Sequence, residues 1–209
     1  MTWGYIPTLN KPERQGVQRY DRKKRWTGIL QTLLGDEYYV VEEGLNSRTT
    51  NIDYSAPEKA GRNGKQFLPI CLCTHAPLDV VIVMLGINDL KNEFNHRTSK
   101  DIASGLDELL TIINQSTYGT DMKSAPKILL ISSPIPTHEQ GFPDNAFTNA
   151  IIRAKDFAKD FKQVADKHKA YFMDAASEIK PSDIDGIHFD DEAHKRLADM
   201  LYSEIKKIL

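Results

Sequence analysis

The 209-residue chain has little cysteine: only Cys71 and Cys73, one residue apart. Cysteines that close make a poor structural disulfide, and two thiols are too few to hold zinc without a further cluster, so both read as reduced thiols. Long apolar runs are also missing. No stretch approaches the roughly 20 residues of a membrane span and no secretory apolar core is present, which points to the cytoplasm. Charge of one sign is not in excess either, since 27 basic and 29 acidic residues leave a formal net charge of −2. No overall field attracts nucleic acid or an anionic membrane, and neither is expected as a partner. The basic run Arg22-Lys23-Lys24-Arg25 reads as solvated surface. A glycine-rich phosphate loop is absent, which counts against a flavodoxin-like nucleotide-binding module. Repeats and low-complexity segments are absent too.

What is present suits one compact domain, residues 1–209, at 40% hydrophobic content. Trp26, Ile29, Leu30, Leu33 and Leu34 recur at helical spacing, and Gly35-Asp36 stops that helix. Residues 38–42 (YYVVE) form a β-rich run, and residues 79–85 (DVVIVML) form a continuous apolar run of the kind buried on both faces of a parallel sheet. Between them lies a long polar excursion with Pro57, Gly61, Gly64 and Pro69, and one helix near residues 68–74. Ser99 can cap a helix whose apolar face is Ile102, Leu106, Leu109, Leu110 and Ile113. A strand at residues 127–132 (KILLIS) follows, then a proline-rich loop at 134–145. Next comes a helix carrying Ile151, Ala154, Phe157, Ala158, Phe161, Val164 and Ala165 on one side. A strand at 170–174 and a helix from about Asp191, with Leu197, Met200, Leu201, Ile205 and Ile208 inward, complete the chain. Alternating strands and helices predict a three-layer α/β/α fold, flavodoxin-like, with a mostly parallel sheet. A unit of this type opens on a strand, and none precedes the first helix.

In open α/β sheets, sites gather beyond the carboxyl ends of the strands. Residues 42–50 (EEGLNSRTT) and 85–89 (LGIND) stand there, and residues 185–188 (DGIH) lie before the last helix. Singly each has a plain reading: the first two are turn formers, and Asp185 with His188 makes a loop hydrogen bond or, with Asp190, Asp191 and His194, part of a metal site. Together they say more. Acyl transfer needs donors for a developing oxyanion and a base whose tautomer is held by a carboxylate. An asparagine amide and a backbone N–H at strand ends supply donors. An aspartate three residues before a histidine can accept from Nδ1–H, which assigns proton transfer to Nε2.

These segments resemble the SGNH (GDSL-type) hydrolases, in particular the arylesterase and acyltransferase branch. The resemblance rests on Gly86-Ile87-Asn88-Asp89, on Asp185 to His188, on residues 44–50 (GLNSRTT) and on residues 67–79 leading into VIVMLGINDLK. It implies a serine ester hydrolase acting on short-chain carboxylic or aryl esters, with acyl transfer as a further outcome. No cofactor or metal is implied, a small ester is the partner, and the branch's habit of assembly implies a homo-oligomer, with the loop at residues 7–25 as a natural contact. In that resemblance His188 is the general base and acid, Asp185 orients it, and Asn88 and the Ser47 backbone N–H are oxyanion donors. Trp3 and Tyr5 line the acyl or alcohol pocket or serve as packing. The branch's first block reads Gly-Asp-Ser-Leu-Thr-Trp-Gly, and Thr2-Trp3-Gly4 match its end. The resemblance therefore places the nucleophilic serine and the first strand immediately before Met1, and assigns no nucleophile within the 209 residues. Ser132, Ser133 and Ser47 lack the context of an activated nucleophile. The alternative function is a catalytically dead member acting as a binding or assembly subunit.

Overall fold

The computed structural model describes residues 1–8, 18–138 and 146–209. The expected contact loop at 7–25 and the proline-rich loop at 134–145 therefore lie partly outside the described residues. The chain divides into two compact units, one of Met1–Asn46, Pro134–Ile151 and Ala175–Leu209, the other of Ser47–Ser133 and Ile152–Asp174. No helix among the described residues is long and apolar enough to cross a membrane.

The second unit holds the sheet. Strands β1 (Val80–Val83), β2 (Lys127–Ser132) and β3 (Tyr171–Asp174) run parallel in that order, with Val80 paired to Lys127 and Leu129 to Tyr171. In β2, Ile128, Leu129, Leu130 and Ile131 are all buried, so both faces are covered and the run reads as continuously apolar, not alternating. Helix α2 (Gly64–His75) begins earlier than the expected helix near 68–74, because the Asn63 side chain accepts from Lys65 N–H and caps it there. Helix α3 (Ser99–Asn114) buries Ile102, Leu106, Leu109, Leu110 and Ile113, as its periodicity predicts. Its cap is Thr98, not Ser99: Thr98 and Asp101 form a reciprocal capping box, and Ser99 becomes the first helical residue. The helix expected through 151–165 is two helices, α4 (Ala150–Ala154) and α5 (Phe157–Lys167). In α5, Phe157 and Phe161 stack 4.6 Å apart, and the helix packs on β2, β3 and α3.

The first unit is organised by helices α1 (Trp26–Leu34) and α6 (Asp191–Ile208), which pack together through fully buried Leu30, Leu197, Ala198 and Leu201. Gly35 ends α1 at φ +79°, a conformation a side chain would strain. Asp190 caps α6 by accepting from Ala193 N–H, and Asp191 and Glu192 place acidic charge in its first turn. Residues 38–42 correct the sequence reading, for they enter no ladder among the described residues. The Gln31 amide takes the place of a strand neighbour there, donating to the Tyr38 carbonyl at 2.8 Å and accepting from Val40 N–H at 2.8 Å. The α/β class and the parallel sheet stand as expected.

Candidate active site

The loop that precedes α6 is built around Asp185. Its Oδ1 accepts from the backbone N–H of Ile187 at 3.0 Å and of His188 at 2.9 Å, which folds the loop over the carboxylate. Its Oδ2 meets His188 Nδ1 at 2.8 Å. Gly186, at φ +71°, makes that turn possible, and a Cβ there would lie 2.5 Å from the His138 carbonyl oxygen. Ser182 closes the loop, donating its N–H to the His188 carbonyl and accepting from Gly186 N–H, both at 2.8 Å. Phe189, fully buried, anchors the loop's exit into α6.

Asp185 has no solvent exposure, and that burial alone would raise its pKa. The hydrogen bond and charge of His188, with the two backbone donors, outweigh it and hold the carboxyl below its ordinary value. An ionised acceptor on Nδ1 fixes the proton there and gives Nε2 the role of base. The Tyr5 ring stacks on His188 with centroids 4.2 Å apart at 24°, so the imidazole plane is set from two sides. Tyr5 is itself fixed by a backbone bridge to Arg19. Trp3 lies near by in sequence but has a different neighbour, the Arg19 guanidinium 4.9 Å from its ring, with Arg19 Nε donating to its carbonyl at 2.7 Å.

The residues of the alternative metal reading are engaged elsewhere in this unit. Asp190 caps α6 and Asp191 pairs with Lys24 at 2.8 Å. His194 is wholly buried, accepts at Nδ1 from Trp26 N–H at 3.2 Å, and is pushed down to about 3 by that burial, so it is a neutral core histidine.

The second unit carries the other predicted residues on its strand-end loops. Ser47 stands at φ +64°, in the left-handed region that favours glycine, at a cost of about 1–2 kcal/mol for a residue with a Cβ. Asn88 Nδ2 donates to the Arg48 carbonyl at 3.0 Å, tying the loop after β1 to the loop at 47–50. Gly86, at φ +124°, turns the chain into Asn88 over Ile102 and Phe161, where a Cβ would lie 3.0 Å from Ile102 and 3.2 Å from Phe161. Ser132 and Ser133 are buried, 1% and 2% exposed, at the end of β2.

Sequence reasoning missed the residue that locks these two loops together. Asp89, fully buried, accepts from Thr50 Oγ1 at 2.5 Å, from Thr50 N–H at 3.1 Å and from Arg97 Nη1 at 2.7 Å. Burial pushes its carboxyl up to about 6, against the opposing pull of Thr50 and Arg97. Arg153 buttresses the segment that follows, donating to the carbonyls of Leu90 at 2.5 Å and Arg97 at 3.2 Å. Gly105 lets the Thr50 loop sit against α3, since a Cβ there would be 2.3 Å from Thr50 Oγ1. A glycine inside an otherwise strong helix was the sequence signal for that close approach.

Residues 1–196 match the model of the GDSL-like Lipase/Acylhydrolase family. The chain belongs to this family. Among solved structures, this acylhydrolase-family chain is similar to the native M. smegmatis aryl esterase, 35% identical with a TM-score of 0.89, covering 100% of this chain and 95% of that one. It is equally similar to Est24, a carbohydrate acetylesterase from Sinorhizobium meliloti, 36% identical with a TM-score of 0.88 over 100% and 95% of the two chains. An acetylxylan esterase of Xylanibacter ruminicola is 27% identical over 195 residues, 85% of this chain and 38% of that protein. The chain thus spans well under half the length of that curated relative.

Proposed function

We propose that the 209 residues work as one hydrolase domain that cleaves short-chain carboxylic esters, acetyl and aryl esters foremost, through an acyl-serine. The observation that carries the reading is the buried Asp185 carboxylate held 2.8 Å from His188 Nδ1 with Tyr5 stacked on the ring. His188 Nε2 takes the nucleophile's proton and returns it to the leaving alkoxide, while Asp185 stabilises the imidazolium that forms between the two steps. The Ser47 backbone N–H and the Asn88 amide stabilise the oxyanion, and a main-chain donor at residue 47 does not depend on which side chain it carries. Trp3 and Tyr5 flank the substrate's acyl or alcohol portion.

By the resemblance the nucleophile is the serine of a Gly-Asp-Ser block, whose closing residues Thr2-Trp3-Gly4 match. Water then hydrolyses the acyl-enzyme, or an alcohol accepts the acyl group. The names of the relatives, aryl esterase, carbohydrate acetylesterase and acetylxylan esterase, support small acyl groups as the substrate class. The reading extends to a cytoplasmic homo-oligomer.

The test compares three proteins on p-nitrophenyl acetate: Met1–Leu209, the same chain extended by a Gly-Asp-Ser-bearing strand, and the extended chain with His188→Ala. Turnover by the extended chain that exceeds the other two by about 10³-fold or more supports the assignment, since loss of a triad member costs on that order or above. Equal rates in all three would end it.

A further inference from the structure

Beside the predicted oxyanion loop the second unit gathers three groups that ester hydrolysis does not use. Lys91 Nζ donates to Tyr54 Oη at 3.0 Å and reaches Ser47 Oγ at 3.5 Å. Tyr54 and Ser47 are 37 and 44 positions from Lys91 in sequence, so only the fold brings the three together. Tyr54 is 8% exposed and packed edge-on against Phe94, 4.9 Å away, so it is a rigid wall for the lysine. Lys91 itself is half-buried, and its backbone N–H is bonded to the Asn88 carbonyl at 3.2 Å. The amine is therefore held against the side chains of Tyr54 and Ser47, on a residue that follows Asn88 by three positions.

We infer that Lys91 is an acyl-acceptor site, at which the amine takes an acetyl or similar small acyl group from an activated ester. The Nζ lone pair attacks the acyl carbon, the bond from that carbon to the ester oxygen breaks, and the proton shed by the amine goes to the departing alkoxide or phenoxide. The products are an amide on Lys91 and an alcohol or phenol. The inference shares with the preceding reading only the strand-end donors, Ser47 N–H and Asn88, and needs neither His188 nor a serine before Met1.

The surroundings of the amine favour this chemistry. Burial, with the positive charges of Lys59 and Arg62 against the opposing Glu93, lowers the Lys91 ammonium to about 8. Lys59 Nζ lies 4.4 Å from the centroid of the Tyr54 ring and pairs with Glu93 at 3.4 Å, so the second cation stays close. Tyr54 is held protonated by its own burial, its pKa raised, and offers Lys91 a neutral partner, not an anion that would keep the ammonium charged. At about pH 8 half of such an amine is neutral, against about one part in 250 for an ordinary lysine with a pKa near 10.4.

The experiment treats Met1–Leu209 with p-nitrophenyl acetate at about pH 8 and follows acetylation peptide by peptide by mass spectrometry. The exposed lysines Lys123 and Lys180 serve as internal references. The expected result is hydroxylamine-resistant acetylation of Lys91 at least about tenfold faster than of Lys123 and Lys180, abolished by Lys91→Arg and slowed several-fold by Tyr54→Phe. Acetylation of Lys91 no faster than of the references overturns the inference. So does a hydroxylamine-labile adduct on Ser47, which would make the hydroxyl the acceptor and Lys91 its base. The ester-turnover assay on the extended chain fails or succeeds separately from this one.

Discussion

Replacing Asp89 by asparagine separates the cost of burying its charge from the bonds that charge makes. The carboxyl's pKa is about 6 in the folded protein and 3.8 as its ordinary value. At about 1.4 kcal/mol per unit, the folded state disfavours the ionised form by about 3 kcal/mol. An amide escapes that cost, which is already net of the Arg97 and Thr50 bonds, but sets an N–H₂ group against Thr50 N–H and leaves a buried donor unpaired, a loss of about 1–3 kcal/mol. Near pH 8 the two effects offset one another, and Asp89→Asn should unfold within about 1 kcal/mol of the parent. The sign of the pH effect follows from the raised value. Between 3.8 and about 6 the folded protein keeps a proton that the unfolded chain has released, so lowering the pH through this window stabilises the parent, and raising it through 6 removes that stability. The amide has no such proton. The difference in unfolding free energy, parent minus variant, should therefore grow by about 1.4 kcal/mol on going from about pH 8 to about pH 5. Urea denaturation of both proteins at the two pH values reads it directly. A difference that stays constant, or shrinks towards acid, would refute the claim that burial dominates at Asp89.

Three further substitutions test local readings. Gly186→Ala should cost more than about 2 kcal/mol by thermal denaturation, because φ is +71° and the new Cβ meets the His138 backbone, whereas Gly61→Ala, at φ +74° with nothing within 4 Å, should cost only about 1 kcal/mol. Equal losses would place the strain in the dihedral alone. Thr98→Ala should destabilise by about 1 kcal/mol. Ser99→Ala should change little, since the Ser99 hydroxyl is buried without a hydrogen-bond partner, and the reverse order in urea titrations would restore Ser99 as the cap. Asp185→Asn in the extended chain should lower kcat by about 10³–10⁴ with KM little changed, by releasing the imidazole tautomer; a selective rise in KM would make Asp185 a binding residue instead.

The alternation of elements was legible because periodicity reports burial, and burial is what β2 and α3 share with their apolar runs. Residues 38–42 were misread for a related reason: β-rich composition shows that a segment can pair, not that a neighbour stands beside it, and here the Gln31 side chain satisfies Tyr38 and Val40. Thr98 and Ser99 are both capping residue types, and only the reciprocal bonds with Asp101 tell them apart. At the site, the three-residue spacing of Asp185 and His188 is local and so visible. The grip of Asp89 on Thr50 spans 39 positions, and the approach of Lys91 to Ser47 spans 44; neither leaves a local pattern to read.

The most direct test of the account is the intact mass and peptide map of the extended chain after treatment with a phosphonate ester that captures activated serines. The account predicts one adduct per chain, on the serine of the Gly-Asp-Ser segment ahead of Met1, and none when His188 is replaced by alanine. An adduct on Ser132, Ser133 or Ser47, or labelling that survives loss of His188, would contradict it.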